Sequence, residues 1–326
     1  MNNSMKFLVT EKDNGSRLDI FLSKKIDRLT RSNIKKIINS NNVKINIKVS
    51  NSPSKKIKLH DVVEIKLLQK KSENLKPSKI KLDIQYEDKD ILVVNKPKGM
   101  VVHPGAGNIE NTLANALLYK YKNKLSNING EFRPGIVHRI DKETSGLLVI
   151  AKNNIAHSKL GEQFNKHSIH RKYQCLVWGV VRPLRGQIKT LISRNKKNRQ
   201  LMAVSDFNGK TAITNYETIK VFNTKDIPKI SLIECNLETG RTHQIRVHMK
   251  YKNAPLLGDN QYGKRNVRFK KINEDFLKKL SVIKGQALHA KYLGFVHPTK
   301  NEWVDFDSDL PDDFKKLLNF LKKHCS

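Results

Sequence analysis

One acidic side chain, Asp141, lies in a short polar segment whose residue types could support chemistry. Residues 138–146 read His-Arg-Ile-Asp-Lys-Glu-Thr-Ser-Gly, so an arginine precedes the carboxylate and small turn-forming residues follow it. The apolar run at 147–151 has the length of a strand and would place the carboxylate at the edge of a sheet, a rigid position for catalysis. Asp before Thr-Ser-Gly is also ordinary turn chemistry. The segment alone therefore predicts either a catalytic carboxylate or a structural turn.

The elements around this segment predict an α+β domain that begins near residue 81. Strands are expected on both sides of the acidic turn within 83–94, at 147–151, at 173–181 and at 230–237, and amphipathic helices at 111–121 and 153–167. Strands and helices interleave irregularly and no repeat is present. This order favours a mixed, mainly antiparallel sheet over a doubly wound parallel one.

The chain before this domain predicts a separate small unit at residues 1–72, joined by a polar, charged linker at 73–80. Ser16 and Thr30 are expected to cap two helices. Alternating Val43, Ile45, Ile47 and Val49 predict one half-buried strand, and residues 61–68 a second. Two helices followed by short strands, with basic residues on the outer helix faces, suit a nucleic-acid-binding module.

The net charge predicts a polyanionic partner. The 326 residues contain 63 Lys and Arg against 30 Asp and Glu, which gives a formal charge of +33. Clustered cations neutralise phosphates and release counterions, so a phosphate-rich polyanion is the natural partner.

Several function classes find no support in the sequence. The three cysteines are far apart and form no CxxC pair, so neither a zinc site nor a disulfide framework is expected. No phosphate-binding glycine motif is present, so we expect no nucleotide cofactor. We expect no other cofactor either. No 18-residue apolar run occurs, so a cytoplasmic protein without membrane segments is expected. One candidate acidic site per chain requires no dimer, so a monomer is expected.

The larger domain resembles the catalytic domain of the RluA-type pseudouridine synthases over nearly all of residues 83–310. The resemblance rests on four ordered segments, residues 135–146, Arg171-Lys172-Tyr173, residues 237–248 and residues 286–290. It implies isomerisation of uridine in RNA, in which the bond from ribose C1′ to base N1 breaks and C1′ is rejoined to C5. That reaction involves no redox change and needs no metal.

The resemblance also implies roles for individual residues. Asp141 would be the catalytic carboxylate, adding to C1′ or removing the C2′ proton, and the sequence leaves both routes open. Arg246 would keep this carboxylate ionised and aligned, although a phosphate contact or a structural ion pair is the alternative. Tyr173 would stack on the flipped uracil and relay a proton at C5, unless it is only a packed strand residue.

Three further residues are expected beside the RNA. Arg139 would fill the space that the flipped uridine leaves in the RNA. Ile245 would form an apolar wall under the base. His138 would lie behind the residues that contact the base and would hold them in place.

Residues 14–68 resemble the S4 RNA-binding domain through the segments 16–22, 30–32, 43–46 and 60–63. The pattern usually has glycine before Val43 and at the position of His60; Asn41 or Asn42 could supply the left-handed turn at the first place. The implied RNA-binding residues are Arg17, Arg31 and Lys35. With this domain in front, the chain resembles the members that act on large-subunit ribosomal RNA, and among them the D type.

Three alternatives to this interpretation stay open at the level of sequence. The chain could be a non-catalytic RNA-binding or ribosome-assembly factor, or a synthase of the same family with another RNA target. It could also be a glycosidic-bond hydrolase that pairs Asp141 with Glu143, which a turn between them disfavours.

Overall fold

The chain forms two compact units, Met1–Glu73 and Asn74–Ser326. The computed structural model describes residues 4–26, 29, 31–66, 75–105, 107–122, 124–130, 133–263 and 272–325. The first two residues of the predicted linker at 73–80 lie outside this range. The rest of it belongs to the second unit: Leu75 is buried in that unit's core, and the Asn115 side chain donates to the Lys76 carbonyl at 2.7 Å.

The first unit is a small sheet with two helices. Its strands are β1 (Ser4–Leu8), β2 (Val43–Ile45), β3 (Lys48–Val49) and β4 (Val62–Lys66), and its helices are α1 (Leu18–Lys25) and α2 (Arg31–Asn39). The strands are antiparallel in the order β1-β4-β2-β3. Both helices bury an apolar face in one core, through Leu18, Phe21 and Leu22 of α1 and Ile34 and Ile38 of α2.

The predicted cap at Ser16 is wrong. The helix α1 begins one residue later, with Arg17 at the N-cap position and no side-chain cap. The carbonyls of Lys55 and Pro53 accept from the amides of Leu18 and Asp19 at 2.8 and 3.0 Å. A neighbouring chain segment thus satisfies the helix start, which local sequence cannot reveal. Thr30 lies outside the described residues, so its predicted cap stays a prediction.

The single strand predicted from Val43 to Val49 is also wrong, because the chain folds into the hairpin β2–β3 there. Asn46 and Ile47 form its turn with φ of +49° and +75°. The Asn46 side chain donates to Asp61 at 2.7 Å and accepts from the Val62 amide at 2.8 Å. Ile47 is 87% exposed. The prediction was made from the alternation of apolar residues and did not take the turn propensity of Asn46 into account.

The left-handed turn expected at Asn41 or Asn42 is confirmed at Asn41, whose φ is +59°. His60, which stands at the second expected glycine position, has φ +67°. Both non-glycine residues therefore take the backbone that the usual glycines would supply.

The second unit is built on one ten-stranded sheet. Its strands are β5 (Asp83–Glu87), β6 (Ile91–Lys96), β7 (Ser145–Ala151), β8 (His170–Trp178), β9 (Arg185–Arg194), β10 (Met202–Ser205), β11 (Lys210–Phe222), β12 (Ile230–Leu237), β13 (Leu288–Val296) and β14 (Trp303–Asp307). The order is β10-β9-β11-β12-β8-β13-β7-β6-β5, with β14 paired to β13. Only the β13–β7 pairing is parallel among the described strands. The predicted α+β class with a mixed, mainly antiparallel sheet is confirmed.

Helices cover this sheet and position the elements around Asp141. They are α3 (Leu113–Tyr121), α4 (Asn154–Asn165), α5 (Gln244–Tyr251), α6 (Glu274–Val282) and α7 (Asp312–His324). Apolar residues of α3 and α5 share one core with strands β7 and β8, whereas α4 packs in a separate core with β6 and β7. Within the described ranges, no helix has the length and apolarity needed to cross a membrane.

Candidate active site

A cleft of about 490 Å³ opens beside the segment that carries Asp141. Asp141, Tyr173, Ile245, Arg246, Arg139 and His138 all line this cleft. They come from the loop before β7, from β8 and from α5. The fold therefore brings together six residues that are dispersed between positions 138 and 246 of the sequence.

The loop that carries Asp141 is fixed where it enters β7. Gly146 has φ +117°, and a Cβ atom there would lie 2.3 Å from the Ala290 carbonyl oxygen of β13. Only glycine permits this approach of the two parallel strands. The Thr144 amide donates to the Asp141 carbonyl at 3.1 Å, which closes the turn.

A buried lysine ties the same loop to the end of β6. Lys96 is 1% exposed, and its ammonium donates to the carbonyls of Pro97, Met100 and Lys142 at 2.7, 2.8 and 3.1 Å. Burial lowers the pKa of Lys96 to about 7, although Glu143 and Asp141 act in the opposite direction. Its three hydrogen bonds hold the residue after Asp141 in place.

The Asp141 carboxylate faces Arg246 on one side. Arg246 Nη1 lies 3.3 Å from Asp141 Oδ2. The remaining donors of this guanidinium are engaged elsewhere: Nε and Nη2 form a fork on Asp259 at 2.7 and 2.9 Å, and Nη2 also reaches Gln261 at 2.8 Å. Asp259 thus fixes the orientation in which Arg246 presents Nη1 to Asp141.

The electrostatics keep Arg246 charged. Burial alone would lower the pKa of its guanidinium, but the hydrogen bonds and charge of Asp259, with the charge of Asp141, outweigh burial and raise the pKa above its ordinary value. The sequence analysis assigned no role to Asp259. An aspartate between Gly258 and Asn260 carries only the signal of a turn, so its contact with α5 appears only in the fold.

A histidine that sequence reasoning also left without a role faces Asp141 on the other side. His243 Nε2 lies 3.8 Å from Asp141 Oδ1. His243 Nδ1 lies 2.8 Å from the hydroxyl of Tyr262, and that hydroxyl also accepts from the Met202 amide at 2.7 Å. Burial lowers the pKa of His243 by more than the nearby Asp141 charge raises it, so the net shift is downward. The imidazole is therefore neutral at physiological pH.

Tyr173 and Ile245 form the buried wall of the cleft, since they are 7% and 4% exposed. Burial raises the pKa of the Tyr173 phenol, and the Arg171 charge partly opposes this effect. Arg171 also lines the cleft, where its guanidinium stacks over Phe164 at 5.4 Å. The phenol is therefore neutral, and the charges of both Arg171 and Asp141 act on it.

Arg139 and His138 point to different surroundings. Arg139 is exposed, and its Nη1 lies 3.2 Å from His103 Nε2. Burial lowers the pKa of His103 to about 4, so a neutral imidazole accepts from Arg139. His138 Nε2 accepts from the Val149 amide at 3.0 Å, and burial lowers its pKa to about 3. His138 thus secures the loop to β7 as a neutral acceptor.

Comparison with known proteins identifies the larger unit. The family model described as RNA pseudouridylate synthase matches residues 90–251. A protein of Zymomonas mobilis named ribosomal large subunit pseudouridine synthase D is 47% identical over 321 residues, which are 96% of each chain. The chain belongs to the RNA pseudouridylate synthase family. It is therefore an enzyme that isomerises uridine to pseudouridine in RNA, and the resemblance to the RluA-type synthases is confirmed.

Two further comparisons agree with the family. A Haemophilus influenzae protein of the same printed name is 42% identical and covers 94% of this chain and 92% of its own length. The solved structure of human RNA pseudouridylate synthase domain containing 4 is 26% identical, with a TM-score of 0.55, over 74% of this chain and 93% of that one. The pseudouridine synthase fold thus spans most of the second unit.

One cluster of potential metal ligands in this synthase, Asp88, Asp90 and His297, does not line the cleft. Its atoms are already hydrogen-bonded. Asp88 accepts from the amides of Asp90 and Ile91 at 2.8 Å and from His297 Nε2 at 2.8 Å, while Asp90 accepts from Asn153 at 2.8 Å. The cluster fixes the β5–β6 turn.

The three cations predicted in the first unit converge on one buried carboxylate. Asp19 is fully buried, and it pairs with Arg17 at 3.1 Å, Arg31 at 2.9 Å and Lys35 at 3.7 Å. The three side chains are 42%, 49% and 46% exposed. Asp19 therefore organises a partly exposed basic patch of these three residues.

Proposed function

We propose that this synthase modifies specific uridines of large-subunit ribosomal RNA and corresponds to the D type. The relatives from Z. mobilis and H. influenzae, both named ribosomal large subunit pseudouridine synthase D, match 96% and 94% of this chain. These matches extend through the basic first unit, which the family model does not include. The formal charge of +33 supports a large polyanionic substrate.

In the proposed mechanism, Asp141 acts on the ribose of the target uridine. Its carboxylate either adds to C1′ or removes the C2′ proton, and the bond from C1′ to N1 breaks with its electrons moving to the base. The base then turns and C1′ bonds to C5. C5 loses its hydrogen as a proton and N1 gains one, so no oxidant or reductant is consumed. The 3.3 Å contact with Arg246 supports a carboxylate that is held in a fixed orientation at Asp141.

The other cleft residues have roles around the flipped base. Tyr173, next to Arg171 and Asp141, is placed to stack on the uracil and to accept or relay the C5 proton. Ile245 supplies an apolar surface under the ring. Arg139, exposed and held by His103, fills the space that the uridine leaves in the RNA. His138 holds the loop through Val149 and does not contact the base.

The first unit binds the RNA backbone through the basic patch of Arg17, Arg31 and Lys35, as its resemblance to the S4 domain implies. Asp19 holds these cations in fixed positions while about half of each side chain stays exposed. Fixed cations lose less side-chain entropy when a phosphate binds. We further propose that the enzyme acts as a monomer in the cytoplasm, since each chain carries a complete set of cleft residues.

Replacing Lys35 with Gln tests the basic patch. Lys35 has the longest contact with Asp19, so its loss leaves the Arg17 and Arg31 pairs intact. We expect the dissociation constant for the RNA substrate to rise about three- to tenfold. The slope of the logarithm of the association constant against the logarithm of salt concentration should become about one unit less negative. Lys44→Gln, an exposed lysine on β2, removes the same charge elsewhere in the unit. Equal effects of both changes would argue against a specific patch.

The single observation that carries the substrate assignment is the 47% identity over nearly the whole chain. A carbodiimide-based pseudouridine map of large-subunit ribosomal RNA, made from cells that lack this protein, tests it. We expect discrete sites to lose their mark and to regain it with the wild-type chain but not with Asp141→Asn. An unchanged ribosomal RNA map would contradict this substrate, and a synthase with a different RNA target would then be the alternative.

A further inference from the structure

Each oxygen of the Asp141 carboxylate faces a side-chain nitrogen, one from α5 and one from the residue that precedes α5, and residues of the 259–262 loop hydrogen-bond to both of these side chains. Arg246 faces Oδ2 at 3.3 Å and is held by Asp259, and His243 faces Oδ1 at 3.8 Å and is held by Tyr262. Asp259 itself accepts from the Tyr262 amide at 3.1 Å, so the two supports are joined. Residues 259–262 thus brace both sides of the carboxylate.

The hydrogen bonds of the Tyr262 hydroxyl decide which nitrogen of His243 carries the proton. The hydroxyl oxygen accepts from the Met202 amide at 2.7 Å. If it also accepted from His243 Nδ1–H, its own proton would have no acceptor among the described residues, and the lone pair of Nε2 would face a carboxylate. If the hydroxyl donates to Nδ1, its proton has an acceptor, and Nε2–H faces Asp141 Oδ1 across 3.8 Å.

We propose that Tyr262 is a positioning residue that fixes His243 in the Nε2–H tautomer, so that His243 presents a donor to Asp141 Oδ1 and to substrate atoms beside it. This inference rests on the proposed role of Asp141. The backbone of His243 has φ +56°, a left-handed conformation that costs energy in a non-glycine residue and is found at functional sites. That conformation places His243 immediately before α5, with its imidazole in the cleft.

The charged groups around His243 are Asp141 and Arg139 from the loop before β7, Arg246 from α5 and Asp259 from the following loop. A neutral imidazole can hold its proton on either nitrogen, and only a hydrogen-bond partner selects one. With the hydroxyl of Tyr262 removed, only the Asp141 carboxylate, 3.8 Å from Nε2, would favour Nε2–H, so the selection of this tautomer would be weaker. Protonation in acid would restore Nε2–H, because the imidazolium carries a proton on both nitrogens.

Tyr262→Phe is the test, because it removes the hydroxyl and keeps the ring that lies 4.7 Å from the Arg246 guanidinium. The substrate is a transcript of large-subunit ribosomal RNA labelled with tritium at uridine C5, which releases the label when C1′ bonds to C5. We expect the single-turnover rate at saturating enzyme to fall about tenfold near pH 8, with the RNA dissociation constant unchanged. The deficit relative to wild type should narrow as the pH falls below 6.5, because burial lowers the pKa of His243 from that ordinary value.

A constant rate deficit across pH, or a wild-type rate in Tyr262→Phe, would overturn the inference. In a His243→Gln background, whose side-chain amide has no tautomers, Tyr262→Phe should have little further effect on the rate. Tyr216→Phe is the matched control, since Tyr216 is a buried tyrosine whose hydroxyl donates to the Pro183 carbonyl at 3.0 Å outside the cleft. Its rate should match wild type at every pH.

Nitrogen NMR of the histidine-labelled full chain tests the tautomer without any activity. We expect His243, assigned by its absence in His243→Gln, to carry its proton on Nε2 in the wild type and to populate both tautomers in Tyr262→Phe. A wild-type proton on Nδ1 would overturn the inference. A wild-type enzyme inactive on ribosomal RNA would contradict the proposed substrate, and the NMR result would still decide the role of Tyr262.

Discussion

Replacing Asp141 with Asn is expected to lower the single-turnover rate of pseudouridine formation by at least about 10⁴-fold. The amide keeps the size of the carboxylate but cannot add to C1′ or take the C2′ proton as a carboxylate does. The RNA dissociation constant should stay within about twofold, because the change leaves the basic residues in place. Tritium release from C5-labelled ribosomal RNA and filter binding of the same transcript measure the two quantities.

Glu143→Gln supplies the matched control for Asp141→Asn. Glu143 lies two residues further along the same turn and does not line the cleft. Its side chain packs against Gly285, where a Cβ atom would lie 2.4 Å from that of Glu143. We expect its rate to stay within about twofold of wild type. Release of free uracil that requires both carboxylates would instead support the hydrolase alternative.

Periodicity predicted the order and type of about half of the elements in the second unit, and strands such as β9, β11 and β13 were not predicted. The alternating run at 230–237 is the strand β12 with the predicted bounds, and the helix predicted at 153–167 is α4, which spans Asn154–Asn165 with Asn153 as its N-cap. Periodicity failed in the first unit, where Asn46 turns an apparently continuous strand into a hairpin. Local turn chemistry outweighed the apolar alternation there.

The site was predictable to the extent that its residues belong to recognisable motifs. Asp141, Tyr173 and Arg246 do line one cleft, as the motifs implied. Asp259 and Tyr262 gave no local signal, because their importance arises from contacts with α5 and with Met202 that only the folded chain creates. The partner of Arg17, Arg31 and Lys35 was missed for the same reason, since Asp19 appeared to be an ordinary polar residue of a helix's first turn.

Arg246→Lys is expected to lower the single-turnover rate about 100-fold or more. Lysine keeps the positive charge but lacks the several N–H donors of a planar guanidinium. One ammonium therefore cannot bind Asp259 and reach Asp141 at the same time. The lost hydrogen bonds around buried Asp259 should also cost about 1–3 kcal/mol of unfolding free energy. Single-turnover kinetics on ribosomal RNA and urea denaturation measure the two effects. Arg194→Lys, an exposed arginine that donates to the Arg199 carbonyl at 2.7 Å, is the control.

The pattern of these effects separates the three roles that the sequence left open for Arg246. A lower rate at saturating enzyme with unchanged RNA affinity means that the guanidinium aligns Asp141. Weaker RNA binding with an unchanged rate would indicate a phosphate contact. Lower stability alone, with a normal rate for the folded fraction, would indicate a structural ion pair. We expect the first, with some loss of stability, because Nη1 reaches Asp141 while Nε and Nη2 are committed to Asp259. The guanidinium therefore connects the buried Asp259 to Asp141, the carboxylate that we propose does the chemistry.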